Sequence, residues 1–259
     1  MNIDRILPDI GGEGSEVLNW VARQNLGPFY NFSQPRALYW TLMLGTPRHT
    51  IRAYLFDLDG TLIDSKMDIV NSVNAMLRTI GRPEQAQDVV ASYVGHGAHR
   101  LIACALGPDA TETDIDSALA IFMAHYEAHS LDATRAYPGV EGALAALAGQ
   151  PMAVLTNKPT KASLEILNGL GLAKYFNFIY GGDSFETKKP DPAGALYILK
   201  ELSIAPEHAA MIGDSDVDIQ TARNAGLQAV AVNYGFGTYN RLANPADFYL
   251  DNLTDLVPF

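Results

Sequence analysis

The segment Leu55-Phe56-Asp57-Leu58-Asp59-Gly60-Thr61-Leu62-Ile63-Asp64-Ser65 sets two carboxylates one residue apart, directly after an apolar run and directly before Gly-Thr. A carboxylate at the end of a buried strand is costly unless it is paired or holds a metal. Open α/β sheets gather their chemistry at the carboxyl ends of strands. The block therefore predicts a buried strand over Ile51 to Phe56 that ends in a functional site. If Asp57 acts as a nucleophile, Asp59 is near enough to give and take the proton that the reaction needs.

Further apolar, β-branched runs predict strands at Met152 to Thr156, Phe178 to Tyr180, Ala210 to Gly213 and Ala229 to Asn233. Helical patterns separate them at Val140 to Leu147, Lys161 to Leu170, Ala193 to Leu202 and Val217 to Ala225. Alternation of this kind indicates βαβ units and a mostly parallel sheet covered on both faces. Gly149, Gly171 and Gly226 fall where those helices should stop. Between Asp64 and Tyr137 the alternation lapses, and residues 66–133 read as helices only. The expected organisation is an α/β core from 51–65 and 134–259, a helical insert over 66–133, and an extension over 1–50. The extension carries both tryptophans, Trp20 and Trp40. A packed segment, an interaction arm and an unstructured leader all fit its Gly-, Pro- and Asn-rich composition.

At 259 residues and 48% hydrophobic content the chain can bury a sizeable core. A net charge of −11 leaves no basic stripe for nucleic acid. No apolar run approaches the ~20 residues of a membrane span. The start, Met1-Asn2-Ile3-Asp4-Arg5, lacks the order of a secretory signal, so a cytoplasmic location is expected. The single cysteine, Cys104, lies in an apolar patch and reads as a buried, inert thiol. Nothing in the sequence sets an oligomeric state.

Three motifs downstream extend the first. Ala153-Val154-Leu155-Thr156-Asn157-Lys158-Pro159 ends a strand in a hydroxyl, whose oxygen and following amide can hold an anionic oxygen. Lys188-Lys189-Pro190-Asp191-Pro192 supplies a lysine, with Pro192 suited to start a helix. Met211-Ile212-Gly213-Asp214-Ser215-Asp216-Val217-Asp218 returns acidic residues to the end of another strand. Oxygen-rich sets of this type suit a hard cation such as Mg²⁺.

The block D-x-D-G-T-L-x-D-S resembles the first signature of the haloacid-dehalogenase-like phosphatases, and the three later motifs resemble the others in order. The resemblance covers residues 51 to roughly 240. It implies a Rossmann-like parallel sheet with an inserted all-helical cap of the C1 type. It also implies catalytic roles for Asp57, Asp59, Thr156 and Lys189, with Lys188 solvated. Mg²⁺ would be held by Asp57, Asp59 through its carbonyl, and Asp214, with Asp218 either a metal ligand through water or the group that orients Lys189. Asp216 falls on the variable, solvent-facing position.

Closer resemblance, to phosphoglycolate phosphatases, lies in Tyr93-Val94-Gly95-His96-Gly97-Ala98, Tyr137-Pro138-Gly139-Val140, Thr156-Asn157-Lys158-Pro159 and Gly181-Gly182-Asp183. It implies substrate contacts from Gly95, His96, Gly97 and Asn157, and a small phosphorylated metabolite as partner, 2-phosphoglycolate first. Paired glycines let backbone amides approach a small anion. Another small-molecule phosphatase or a pyrophosphatase is the runner-up; a sugar phosphomutase and a non-catalytic binding protein follow.

Overall fold

Strand β1 (Ala53–Phe56) is buried along its whole length. Its side chains divide between two apolar cores: Tyr54 and Phe56 enter one, Ala53 and Leu55 the other. The neighbouring strands β4 (Met152–Leu155) and β6 (Ala209–Gly213) split in the same way, residue by residue. A parallel strand covered on both faces needs apolar residues at every position, and these runs supply them. The structure, a computed structural model, describes residues 51–256. The expectations for residues 1–50 lie outside them.

The principal sheet has six strands in the order β5-β4-β1-β6-β7-β8, all parallel, with β5 at Phe178–Tyr180, β7 at Gln228–Val232 and β8 at Phe248–Leu250. The chain runs outward from β1 through β4 and β5, then returns to the other side of β1 as β6. That reversal is a topological switch point, and the ends of β1, β4 and β6 converge there.

Between β2 (Ile63–Asp64) and β3 (Arg135–Ala136) the described chain is helical: α1 (Lys66–Thr79), α2 (Gln87–Ala91), α3 (Ala98–Leu106) and α4 (Glu112–His129). The two short strands pair antiparallel and bring the entry and exit of this segment together. Buried Asp68 near the start of α1 locks the junction. Its carboxylate accepts from the amides of Ala133 and Thr134 and from Thr134 Oγ1, at 2.7 to 3.0 Å. Helix α4 begins with a capping box, in which Thr111 Oγ1 accepts from the Asp114 amide while the Asp114 carboxylate accepts from the Thr111 amide.

The remaining helices, α5 (Val140–Ala146), α6 (Thr160–Gly169), α7 (Ala193–Leu202) and α8 (Asp216–Ala225), occupy the expected segments to within a residue. Three strands escape the sequence reading. β2 and β3 have two residues each, too short for any periodicity, and β8 sits in a Tyr-, Asn- and Pro-rich tail. Cys104 is half-buried rather than buried, since it lies off the buried stripe formed by Leu101, Ile102, Ala105 and Leu106.

Candidate active site

The switch point gathers the four motifs. Asp57 follows β1, with its amide donating to Ile212 O at 2.9 Å. Thr156 follows β4, Asp214 follows β6, and all three side chains are buried. Lys189 is also buried, and its Nζ donates to Asp218 Oδ1 at 2.6 Å. The same ammonium forms an ion pair with Asp57 Oδ1 at 2.9 Å, and that oxygen has no other hydrogen-bond donor.

Carboxylate oxygens of Asp57, Asp214 and Asp218 lie within 4.8 Å of one another. Three buried carboxylates against one ammonium leave a net charge near −2, which a low-dielectric site does not tolerate without a cation. The effect shows in their acidities. Burial pushes Asp57 up to about 6 despite the opposing pull of Lys189. Burial, with the charges of Asp218 and Asp57, holds Asp214 well above the carboxylate range. Burial alone would lower Lys189, but Asp218 and Asp57 outweigh it and raise the ammonium instead.

The backbone is shaped around Asp214. Its Oδ2 accepts from the amides of Phe236 and Gly237 at 3.0 and 2.6 Å. A Cβ on Gly60, where φ is +80°, would lie 1.9 Å from that oxygen, and one on Gly235 would lie 2.3 Å from Asp214 Cβ. Only glycine admits such an approach. A cluster of hard oxygens, one with no donor besides Lys189, inside a cradle that a methyl group would fill, fits a divalent metal ion. Asp218 is placed differently from the other two. Its Oδ2 accepts from the Ser215 amide at 3.1 Å and from Ser215 Oγ at 2.6 Å, capping α8, while Oδ1 takes Lys189. With both oxygens engaged, it suits orienting Lys189.

Asp59 is gripped from two sides. Ser65 Oγ donates to its Oδ1 at 2.5 Å, and Lys158 Nζ lies 3.0 and 3.1 Å from its two oxygens. Lys158 also donates to Tyr126 Oη on α4 at 2.7 Å and sits 4.5 Å from the centre of that ring. Burial would lower this ammonium, but Asp59 and Tyr126 outweigh it, so it stays charged. Burial pushes Tyr126 up to about 12. Ser65 and Lys158 stand inside quoted motifs, yet the sequence reading assigned neither a role. Tyr126 lies mid-helix, with nothing local to mark it.

Asn157 joins the helical segment to the core. Its Nδ2 donates to Gly95 O at 2.9 Å and to Lys189 O at 3.0 Å, and its Oδ1 accepts from the Lys189 amide at 2.9 Å. Gly95 and Gly97 line the same cavity as Asp57, Asp59, Thr156 and Asn157. His96 between them is exposed and is not among the lining residues, so the structure brings the glycines to the site and not the imidazole. His99 pairs with Glu112 at 3.2 Å, and Lys188 is exposed as expected. Asp216 is not free in solvent: it accepts from the Asn240 amide at 3.2 Å and from Asn244 Nδ2 at 3.1 Å, tethering the loop after β7.

A buried carboxylate paired with a lysine, a second carboxylate lining the same cavity and a cation-seeking cluster together mark the switch point as the candidate active site. The sequence matches the family Haloacid dehalogenase-like hydrolase over residues 54–232, and the chain belongs to that family. Within it, the chain is 39% identical over 216 residues to Phosphoglycolate phosphatase 1 of Pseudomonas aeruginosa, covering 80% of this chain and 79% of that one. It is likewise 39% identical over 217 residues to a phosphoglycolate phosphatase of Psychrobacter arcticus, covering 79% of this chain and 94% of the other. Among solved structures, a predicted phosphoglycolate phosphatase from Haemophilus somnus 129pt superposes with a TM-score of 0.76 at 30% identity, covering 80% of this chain and 96% of that one.

Proposed function

We propose that this chain is a Mg²⁺-dependent phosphatase that hydrolyses 2-phosphoglycolate through a phosphorylated Asp57. Family membership and the relatives' shared activity support a phosphatase. The observation that carries the mechanism is the placement of Asp57, ion-paired with Lys189 and with no other donor on Oδ1, beside an Asp59 held by Ser65 and Lys158.

Asp57 attacks phosphorus in line, and the bond from phosphorus to the ester oxygen breaks. Asp59 gives its proton to the departing alkoxide. It then takes a proton from a water that attacks the aspartyl phosphate, returning Asp57 and releasing inorganic phosphate. Thr156 Oγ1, the backbone amides after Asp57, and Lys189 face the charge on the phosphoryl oxygens. Asp57, the Asp59 carbonyl and Asp214 would hold Mg²⁺, with Asp218 fixing Lys189. Bound there, Mg²⁺ neutralises the carboxylates and draws charge from the phosphoryl oxygens. Gly95 and Gly97 close the cavity over the substrate, held against the core by Asn157.

Phosphate release with Mg²⁺ across 2-phosphoglycolate, phospholactate, sugar phosphates, nucleotides and pyrophosphate tests the reading. The expected result is a kcat/KM for 2-phosphoglycolate at least roughly 100-fold above the rest, the gain available from one well-placed charged contact. A flat profile, or a better substrate elsewhere in the panel, would remove 2-phosphoglycolate from the account.

A further inference from the structure

Among the described residues that line the catalytic cavity, Lys158 is the one with a cationic side chain, set among Asp57, Asp59 and Asp214. Lys189 is committed to Asp57 and Asp218. A phosphomonoester that carries a carboxylate brings additional negative charge into this acidic cavity, at the end away from phosphorus. Something must offset it there.

We propose that Lys158 is the specificity residue that binds the substrate's carboxylate. The inference rests on the 2-phosphoglycolate reading above. Three observations carry it. First, Lys158 Nζ lies 3.0 Å from Asp59 Oδ1, so the group that protonates the ester oxygen has the ammonium beside it. In 2-phosphoglycolate one methylene separates that oxygen from the carboxylate. A substrate that meets Asp59 therefore presents its carboxylate to Lys158. Second, the ammonium can turn to the substrate: it donates to Tyr126 Oη at 2.7 Å and to the two Asp59 oxygens at 3.0 and 3.1 Å, and once Asp59 carries the proton meant for the ester oxygen, its protonated oxygen releases one of those N–H groups. Third, it is pre-positioned. Lys158 is buried, and Tyr126 holds it by a hydrogen bond and by its ring face. An ammonium already ordered and desolvated loses little freedom when it binds an anion. The same contact ties recognition to α4, because Tyr126 comes from the helical segment while Lys158 comes from the core.

The test is equilibrium binding, which leaves the acid-base role of Asp59 aside. Calorimetry on the Mg²⁺-loaded enzyme would compare 3-phosphonopropionate, a carbon isostere of 2-phosphoglycolate, with propylphosphonate, which has a methyl group in place of the carboxylate. The wild type is expected to bind the first roughly 100-fold more tightly, the scale of a charge-assisted hydrogen bond in a dry site. Lys158→Met should shrink that ratio to within about threefold. Tyr126→Phe, which keeps the ammonium but loosens it, should shrink it severalfold, and it decides the matter if Lys158→Met does not fold. A Lys158→Met enzyme that keeps the full ratio overturns the inference and leaves the substrate reading standing. A wild type with no preference between the two ligands overturns both.

Discussion

Replacing Asp57 by Asn should destroy turnover and, without metal, make the protein more stable. The folded site raises Asp57 from 3.8 to about 6, because burial outweighs the attraction of Lys189. A carboxyl group with a raised folded pKa binds more protons when native than when unfolded, so stability falls as pH rises between the two values and is level above the upper one. The gap of about two units corresponds to about 3 kcal/mol. Asn mimics the neutral carboxyl in shape and carries no charge at any pH. Some of the gain is offset because the amide nitrogen needs an acceptor of its own. The net expectation in EDTA at pH 8 is a gain of ~2 kcal/mol, or roughly 5 °C in Tm for a domain of this size. At pH 4 the two proteins should unfold nearly together. Thermal unfolding across pH 4 to 8 in EDTA reads this directly, and saturating Mg²⁺ should close or reverse the gap. A variant less stable than the wild type at pH 8, with a difference that does not change with pH, would mean that Asp57 is ionised at no cost in the metal-free fold. The charge argument for the metal would then collapse.

Two further outcomes follow from the same geometry. Mg²⁺ affinity should rise with pH through the region near 6 where Asp57 titrates, by about tenfold per pH unit for each proton displaced, because Asp57 and the likewise raised Asp214 hold protons that the metal must replace; calorimetry in two buffers of different ionisation enthalpy should show proton release, and a pH-independent affinity would contradict it. Asn157→Ala removes the hydrogen bonds to Gly95 and Lys189, so urea unfolding should show a loss of about 1–3 kcal/mol and steady-state assays a raised KM. An unchanged KM would mean that the Gly95 loop does not need this tether to form the cavity.

The parts of the site that lie along the chain were legible in it. Asp57, Thr156 and Asp214 each end an apolar run, and the sheet order carries all three to one edge. The contacts that join distant segments were not. Asp68 bonds residues more than sixty positions away, and Tyr126 reaches Lys158 from a helix whose own sequence gives that position no mark. His96 shows the converse. Its neighbours Gly95 and Gly97 do line the cavity, but a side chain's direction depends on the local backbone, and there the imidazole is exposed. The partners of Asp216, Asn240 and Asn244, lie in a loop with no periodicity, so the sequence left that carboxylate in solvent.

The central claim is that phosphate passes through Asp57 while Asp59 moves the proton, and one rapid-mixing measurement reaches it most directly. Asp59→Asn, loaded with Mg²⁺, would be mixed with p-nitrophenyl phosphate, whose leaving group departs without an acid. The first step then proceeds, while the second lacks the base that activates water. The account predicts a burst approaching one nitrophenolate per active site, slow turnover afterwards, and phosphate on the peptide that contains Asp57 after an acid quench. Steady turnover with no burst, or phosphate recovered on another residue, would contradict it.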